Sequence, residues 1–340
     1  SVGVVCAGLG LRDPPGPNND LFVADVTAEE MVWNGPDGAS ECPVPPRWKH
    51  TTTHLGDGQL LVFGGFLDST VRLNDTWVYS TETGEWFQPD SLGAGGDAAV
   101  AGLASVDRNP LAPSPRGAHS AVLVRGADGQ RSVWVFGGYG GAGFSRRDFN
   151  DIFRFNVETL SWVKVDEIEG EAPPARAGHA AMVSGTKMYI YGGWSSSEKF
   201  RDTWCFDTEE LTWSKVDTAS FGPYRWNMAA LSVVAVPNWL FFVLGGNGGG
   251  TDLVPGPGGF MKDILVYDTG RDRWMQLETS GEPPRARSDA AMAYVPSLQR
   301  LIVFGGWANR WFDDAASLDV RMVVGPPYAV LDVDPKIGPI

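Results

Sequence analysis

Short hydrophobic runs recur along this chain, each closed by a pair of glycines. QLLVFGGF at 59–66, SVWVFGGY at 132–139, MYIYGGW at 188–194, LFFVLGGN at 240–247 and RLIVFGGW at 300–307 are one element repeated. Their first glycines, Gly64, Gly137, Gly192, Gly245 and Gly305, are separated by 73, 55, 53 and 60 residues. The runs are too short for core helices and have the length of buried strands. Glycine at the end of such a strand marks a bend or a close approach of another backbone.

The order around each diglycine is constant. A Pro-rich turn with Arg leads into a strand of small residues, as in PPRWKHTTTHL, PSPRGAHSAVLV and PPARAGHAAMV. The diglycine strand follows, then a strand led by Asn or Asp (NDTWVYS, NDIFRFN, RDTWCFD, KDILVYD), then a strand carrying Trp86, Trp162, Trp213 or Trp274. Polar turns TETGE, VETLS, TEELT and TGRDR join the last two as hairpins. Four antiparallel strands in roughly fifty residues predict a propeller blade rather than a helical solenoid unit.

The diglycine, the aromatic of the third strand (Tyr79, Phe155, Phe206, Tyr267) and the spaced Trp together resemble the kelch repeat over nearly the whole chain. That resemblance implies an all-β, kelch-type β-propeller of four-stranded antiparallel blades, in which glycines and indoles serve structure. SVGVVCAGLG aligns with GQLLVFGG if Ala7 and Gly8 stand for Gly64 and Gly65, and NNDLFVADVTAEEMVW then supplies a third strand and Trp33. At the other end FDDAASLDVRMVVGPPY reads as a degenerate third and fourth strand. Six blades are therefore expected over residues 1–327, the first without its inner strand. That strand is expected from upstream of Ser1 or from Tyr328–Ile340. Residues 328–340, YAVLDVDPKIGPI, read as a linker or as the start of a domain resembling the Ig-like IPT fold.

Composition narrows the function. A formal charge of -14 over 340 residues disfavours nucleic acid, because gripping phosphates needs a basic surface. Cys6, Cys42 and Cys205 form neither a disulfide framework nor a metal pattern, which favours a reducing, intracellular setting. No run reaches the roughly eighteen apolar residues of a membrane helix and no signal peptide is visible, so no membrane partner is expected.

Strand order places the Arg-containing turns and the loops after the diglycines on one face of the ring. Those loops carry Arg72, Arg146, Arg147, Lys199, Arg201, Lys262 and Arg310 beside Phe66, Tyr139, Trp194, Trp307 and Trp311. Aromatics with Arg are the composition of binding hot spots, and on an acidic protein they point to an acidic peptide or protein surface. Arg146, Arg147, Arg201, Trp194, Trp307 and Trp311 are the expected partner-binding residues. By contrast Arg47, Arg116, Arg176 and Arg225 each precede His50, His119, His179 or Met228 by three residues, and recurrence in every unit suits structure better than a single site. The insertion at 88–113 also leaves on this face, as a flap or with a helix at 97–105.

Catalytic options find little support. Of four histidines, His50, His119 and His179 fall in different units, His50 and His54 on one side of a strand make an incomplete metal site, and no Tyr–Cys pair of the galactose-oxidase type is identifiable. The Ser-x-Asp-x-Gly-x-Thr-Trp box of sialidase propellers, GxSxG, and Walker loops are absent. No catalytic residue, metal or cofactor is expected. The resemblance implies a protein-interaction scaffold or adaptor within a larger assembly, in cytoplasm or cytoskeleton, with a cilium as one setting. Alternatives are the substrate-recognition propeller of a ubiquitin ligase and a carbohydrate- or metal-dependent propeller enzyme.

Overall fold

A computed structural model describes residues 42–89, 111–141, 143–218, 223–235, 238–248 and 259–325, with Asn19 and short strand segments before them. The helix expected at 97–105 and the segment 328–340 lie outside the described residues.

Each repeat folds as an antiparallel sheet in chain order. Blade one comprises Thr51–Gly56, Gln59–Phe66, Arg72–Ser80 and Trp86–Phe87. Blade two comprises Ser120–Arg125, Arg131–Phe136, Ile152–Asn156 and Ser161–Lys164. Blade three runs through Ala180–Ser184, Lys187–Tyr191, Thr203–Asp207 and Thr212–Lys215. Blade four uses Ala229–Ala235, Asn238–Leu244, Ile264–Asp268 and Arg273–Leu277. Blade five has three strands, Ala291–Val295, Arg300–Phe304 and Ala315–Asp319.

The structure is thus an all-β propeller of five blades, which corrects the expected six. The N-terminal segment forms a separate sheet in the order Val2–Cys6, Leu21–Asp25, Trp33–Asn34, with Val2–Cys6 at its edge. Among the described residues it contributes no inner strand, and the inner strand is what takes a blade to the axis. Asn19 links this region to the lead-in of blade one, its Nδ2 donating to the carbonyls of Cys42 and Val44 at 3.0 and 3.1 Å. The fourth strand expected in blade five is not found among the described residues. Arg321–Val324 is one helical turn instead, with no Trp to cover the third strand and Met322 in solvent.

The core lies between blades rather than within them. Each apolar cluster joins two neighbours: Phe63 and Val78 of blade one pack with Val133 and Trp162 of blade two, and the arrangement repeats around the ring. Each Trp covers the aromatic that precedes the diglycine of the blade before it: Phe63–Trp162 at 4.6 Å, Phe136–Trp213 at 5.0 Å and Tyr191–Trp274 at 4.5 Å. Trp162 and Trp274 also donate Nε1–H to Thr76 and Thr203 of that preceding blade. These indoles are almost completely buried, whereas Trp86 is only half-buried.

The diglycines exist because backbone crosses there. Gly64 has φ +62°, and a Cβ on it would lie 2.8 Å from the Arg116 carbonyl of the next blade. Gly65 has φ +102° and meets Trp48 O at the same distance, so only glycine fits both constraints. The second glycine donates its N–H to that next-blade carbonyl in four seams: Gly65 to Arg116, Gly138 to Arg176, Gly193 to Arg225 and Gly246 to Arg287.

Those arginines clamp each blade internally. Arg47, Arg116, Arg176, Arg225 and Arg287 are 0–2% exposed. Their forks grip Asp75, Asp151, Asp202, Asp263 and Asp314 at 2.5–3.2 Å, and one nitrogen of each also donates to the carbonyl of the first glycine of its own blade. The planar fork suits two carboxylate oxygens, which an ammonium would not match. The sequence pattern revealed the arginines but not their partners, although an Asp opens the third strand of every unit.

Removing one member of a buried pair leaves the other charge stranded. Arg176→Ala is expected to lower unfolding free energy in urea by about 3–5 kcal/mol, and Arg176→Lys to restore only part of it. The exposed Arg273→Ala should change it by less than about 0.5 kcal/mol.

Candidate functional site

Backbone pairing brings the loops of the diglycine face together. The residue after each diglycine bridges the residue after each clamp arginine: Phe66 with Trp48, Tyr139 with Gly117, Trp194 with Ala177, Asn247 with Trp226 and Trp307 with Ser288. Four of these five post-glycine positions are aromatic, so the repeat itself builds an aromatic rim around one end of the ring.

Two clusters stand on that rim. Phe66, Tyr139 and Trp194 follow one another across blades one to three with ring centroids 4.9 and 6.0 Å apart. The Arg146 guanidinium lies between Tyr139 and Trp194, 4.1 Å from each centroid, and pairs with Asp148 at 2.8 Å. Burial raises the Asp148 carboxyl, but hydrogen bonds from Arg146 and the Ser196 N–H outweigh it and hold the group below the usual range. Arg72 sits 4.2 Å from the Phe66 ring, its Nη groups donating to the carbonyls of Asp68, Ser69 and Val71. The second cluster joins Phe260 to Trp307 at 5.2 Å and Trp307 to Trp311 at 6.2 Å.

The expected site residues therefore separate into groups. Arg146 and Trp194 form one stack, and Trp307 and Trp311 form another. Arg147 and Arg201 are exposed and stand apart, 5.5 Å from the Phe149 ring and 5.0 Å from the Tyr224 ring. Arg146 is largely committed within the fold, while Arg147, Lys199, Arg201, Lys262 and Arg310 present charge to solvent. The ring partners Tyr139, Tyr224 and Phe260 were not among the expected contact residues. The aromatic two positions before the clamp Asp, as in Phe149, Phe200 and Phe312, recurs in sequence and supports the arginine instead: Arg116 lies 3.9 Å from Phe149 and Arg176 4.0 Å from Phe200.

One pair missed by sequence reasoning is Tyr189 and Cys205, cross-strand neighbours in blade three. Burial first, then the adjacent thiol, raises the Tyr189 hydroxyl above its ordinary range. Among the described residues no group of three His, Cys, Asp or Glu side chains could hold a metal beside it. Nor is any helix there long and apolar enough to cross a membrane.

The chain matches the model of the KLHDC2/KLHL20/DRC7 Kelch-repeats domain over residues 103–306 and that of the Kelch motif over residues 47–92. It is 30% identical to the Dynein alpha chain, flagellar outer arm, of Chlamydomonas reinhardtii, over 99% of this chain and 7% of that protein. It is 28% identical to Host cell factor of Drosophila melanogaster, covering 55% of this chain and 12% of the relative. Kelch domain-containing protein 3 of Homo sapiens is 27% identical, with 79% of this chain and 67% of the relative covered. The chain thus spans only a small fraction of the first two relatives.

The repeated histidines serve the seams. His119 Nε2 shares a hydrogen bond with Thr51 Oγ1 at 2.9 Å, and His179 Nε2 one with Ser120 Oγ at 2.8 Å, each reaching the preceding blade. Burial, reinforced by the neighbouring clamp arginine, holds His179 down to about 3 and His119 well below its ordinary value. Both are neutral in the native state at pH 7. Below about pH 6.5 the unfolded chain takes up protons that the native chain does not, so stability falls with pH until the native value is reached. The expected loss is about 1.4 kcal/mol per pH unit for each such histidine. Urea midpoints at pH 7, 6 and 5 should show that decline, and His179→Gln should make it shallower over the same range.

Proposed function

We propose that this chain, which belongs to the kelch-repeat domain family, acts as a rigid protein-interaction module of a larger ciliary or cytoskeletal assembly. Its partner presents an acidic surface to the diglycine face. The observation that carries the reading is the aromatic rim, where half-buried Trp194, Trp307 and Trp311 lie among exposed cations on a protein of net charge -14. Rings fixed by stacking lose little freedom on binding, and the surrounding cations steer a negatively charged partner. Arg146 holds Trp194 and Tyr139 in place, and Arg147 and Arg201 supply charge to the contact. The assembly is suggested by the match to a flagellar outer-arm dynein chain along almost all of this sequence, of which this chain would be one module.

Trp307→Ala and Arg201→Ala should each weaken partner binding by about 1–3 kcal/mol while leaving the melting temperature nearly unchanged. Binding should also weaken as salt rises. The partner is to be captured from axonemal extract, identified, and then titrated in purified form. Glu82→Ala, in an exposed turn on the opposite face, is the control; Glu209 is unsuitable because its carboxylate accepts the Ala127 N–H of the neighbouring blade. Equal loss from the control, or none from the loop variants, places the interface elsewhere.

A further inference from the structure

Five residues with left-handed backbone, Lys49, Ala118, Gly178, Asn227 and Asp289, encircle the axis at φ 54–60°. Four consecutive links join them: Ala118 N–H to Lys49 O, Gly178 N–H to Ala118 O, Asn227 N–H to Gly178 O and Asp289 N–H to Asn227 O, at 2.7–2.9 Å. The fifth link is different. Between Lys49 and Asp289 only the side chains meet, as an ammonium–carboxylate pair.

Among the described residues, that seam lacks what the other four contain. In the occupied seams the first glycine is packed against the next blade: Gly64 and Gly137 against the carbonyl and imidazole of Arg116/His119 and Arg176/His179, Gly192 against Arg225 and Met228. A Cβ on Gly305 would meet only Phe312 O, at 3.4 Å. Ser120, Ala180 and Ala229 are buried by the following blade, whereas the equivalent Ala291 is exposed. A cavity of about 640 Å³ opens here, where Lys49 and His50 of blade one face Ala291, Gly305, Gly306 and Phe312 of blade five. Among the described residues, the Gly306 and Lys49 N–H groups and the Phe312 and Asp289 carbonyls have no hydrogen-bond partner.

We propose that this seam is a strand-acceptor site for an extended segment of a partner polypeptide, read in one register. The occupied seams supply the template. The segment's first residue would accept from Gly306 N–H and donate to Phe312 O, as Arg116 does with Gly65 and Leu73. Its third residue takes the left-handed conformation, donating to Asp289 O and accepting from Lys49 N–H, which favours Gly or Asn. The fourth faces Ala291, which has no hydroxyl to offer an imidazole. The seams at Ala180 and Ala229 solve the same problem with Met228 and Ala290, so an apolar or small residue belongs there. The fifth faces His50. His119 and His179 each take a hydroxyl at this point, so Ser or Thr is the matching residue. Pairing of main-chain groups gives the affinity and the last two positions give the selectivity. This goes beyond the diglycine-face reading: Trp307 and Trp311 of that reading also line the cavity, but the pairing runs through Gly306, Phe312, Lys49 and Asp289.

The test is fluorescence anisotropy with three labelled synthetic peptides and the whole 340-residue chain. The first copies residues 174–184 with methionine in place of His179 and serine in place of Ala180; the second has alanine at the serine position; the third is a scramble of the first. The first should bind at least tenfold more tightly than the scramble and at least threefold more tightly than the alanine peptide. His50→Ala should erase the serine preference. Ala291→Trp, which fills the cavity from an exposed position, should abolish binding with the melting temperature retained. If that variant fails to fold, Lys49→Asn decides: it keeps the left-handed backbone and removes the ion pair across the seam, so binding should rise at least twofold. Arg201→Ala should leave peptide binding unchanged. No binding at millimolar peptide, equal binding of the scramble, or indifference to the cavity variants overturns the proposal. Concentration-dependent dimers that Ala291→Trp dissolves would give the seam to a second copy of this chain and overturn it equally.

Discussion

A guanidinium buried at the head of every blade is the interaction on which the rest depends. Burying a charge is costly unless it is paired and its remaining donors are satisfied. Each clamp arginine grips an aspartate with its fork and the first glycine's carbonyl with the same edge, and four of the five also satisfy Nε; the buried Nε of Arg225 has no partner among the described residues. Arg47, Arg116, Arg176 and Arg287 also direct Nε to the carbonyl two residues earlier. The result ties the lead-in of the inner strand to the ends of the second and third strands. Three chain segments with no covalent proximity are thereby held at fixed angles.

The same residue joins neighbours. Its side chain serves its own blade, while its carbonyl accepts from the second glycine of the blade before it, and two residues later the left-handed residue links to the axial ring. Blade folding and blade docking therefore share atoms. A solenoid whose repeats touch only their neighbours is stabilised by repeat and interface terms that add, and here one arginine contributes to both. The aromatic layer follows the same logic, because Trp162, Trp213 and Trp274 each cover their own third-strand aromatic and the ring before the diglycine of the preceding blade. Phe155–Trp162 and Phe63–Trp162 show the two contacts of one side chain.

Positions that repeat are thus occupied by the fold, and recognition falls to positions that do not. Arg116 and Arg176 are buried and identical in role; Arg147 and Arg201 lie in loops of unequal length and face solvent. Arg146 stands between these cases, since its stacking between Tyr139 and Trp194 is local to one loop yet it is held by Asp148. Such a residue orders the surface that a partner meets. The seam beside Lys49 has the opposite origin, being a repeated docking geometry whose main-chain groups have no partner among the described residues.

Periodicity alone determined the strand order, the position of every diglycine and the antiparallel pairing, because a short apolar run ending in Gly-Gly has few places to go. It also separated the recurrent arginines from the unequal loops. What it could not supply was contact between units. The Asp partners of the clamp lie 26–38 residues away, and nothing in a spacing says which carboxylate reaches which guanidinium. Tyr189 and Cys205 meet through strand register. The count of blades also escaped it: Val2–Cys6, Leu21–Asp25 and Trp33–Asn34 form strands as the alignment implied, but a blade belongs to the ring only through an inner strand that carries backbone to the axis. Local pattern specifies strands; only tertiary structure decides which edges find a neighbour, because that depends on groups brought together by closure of the ring.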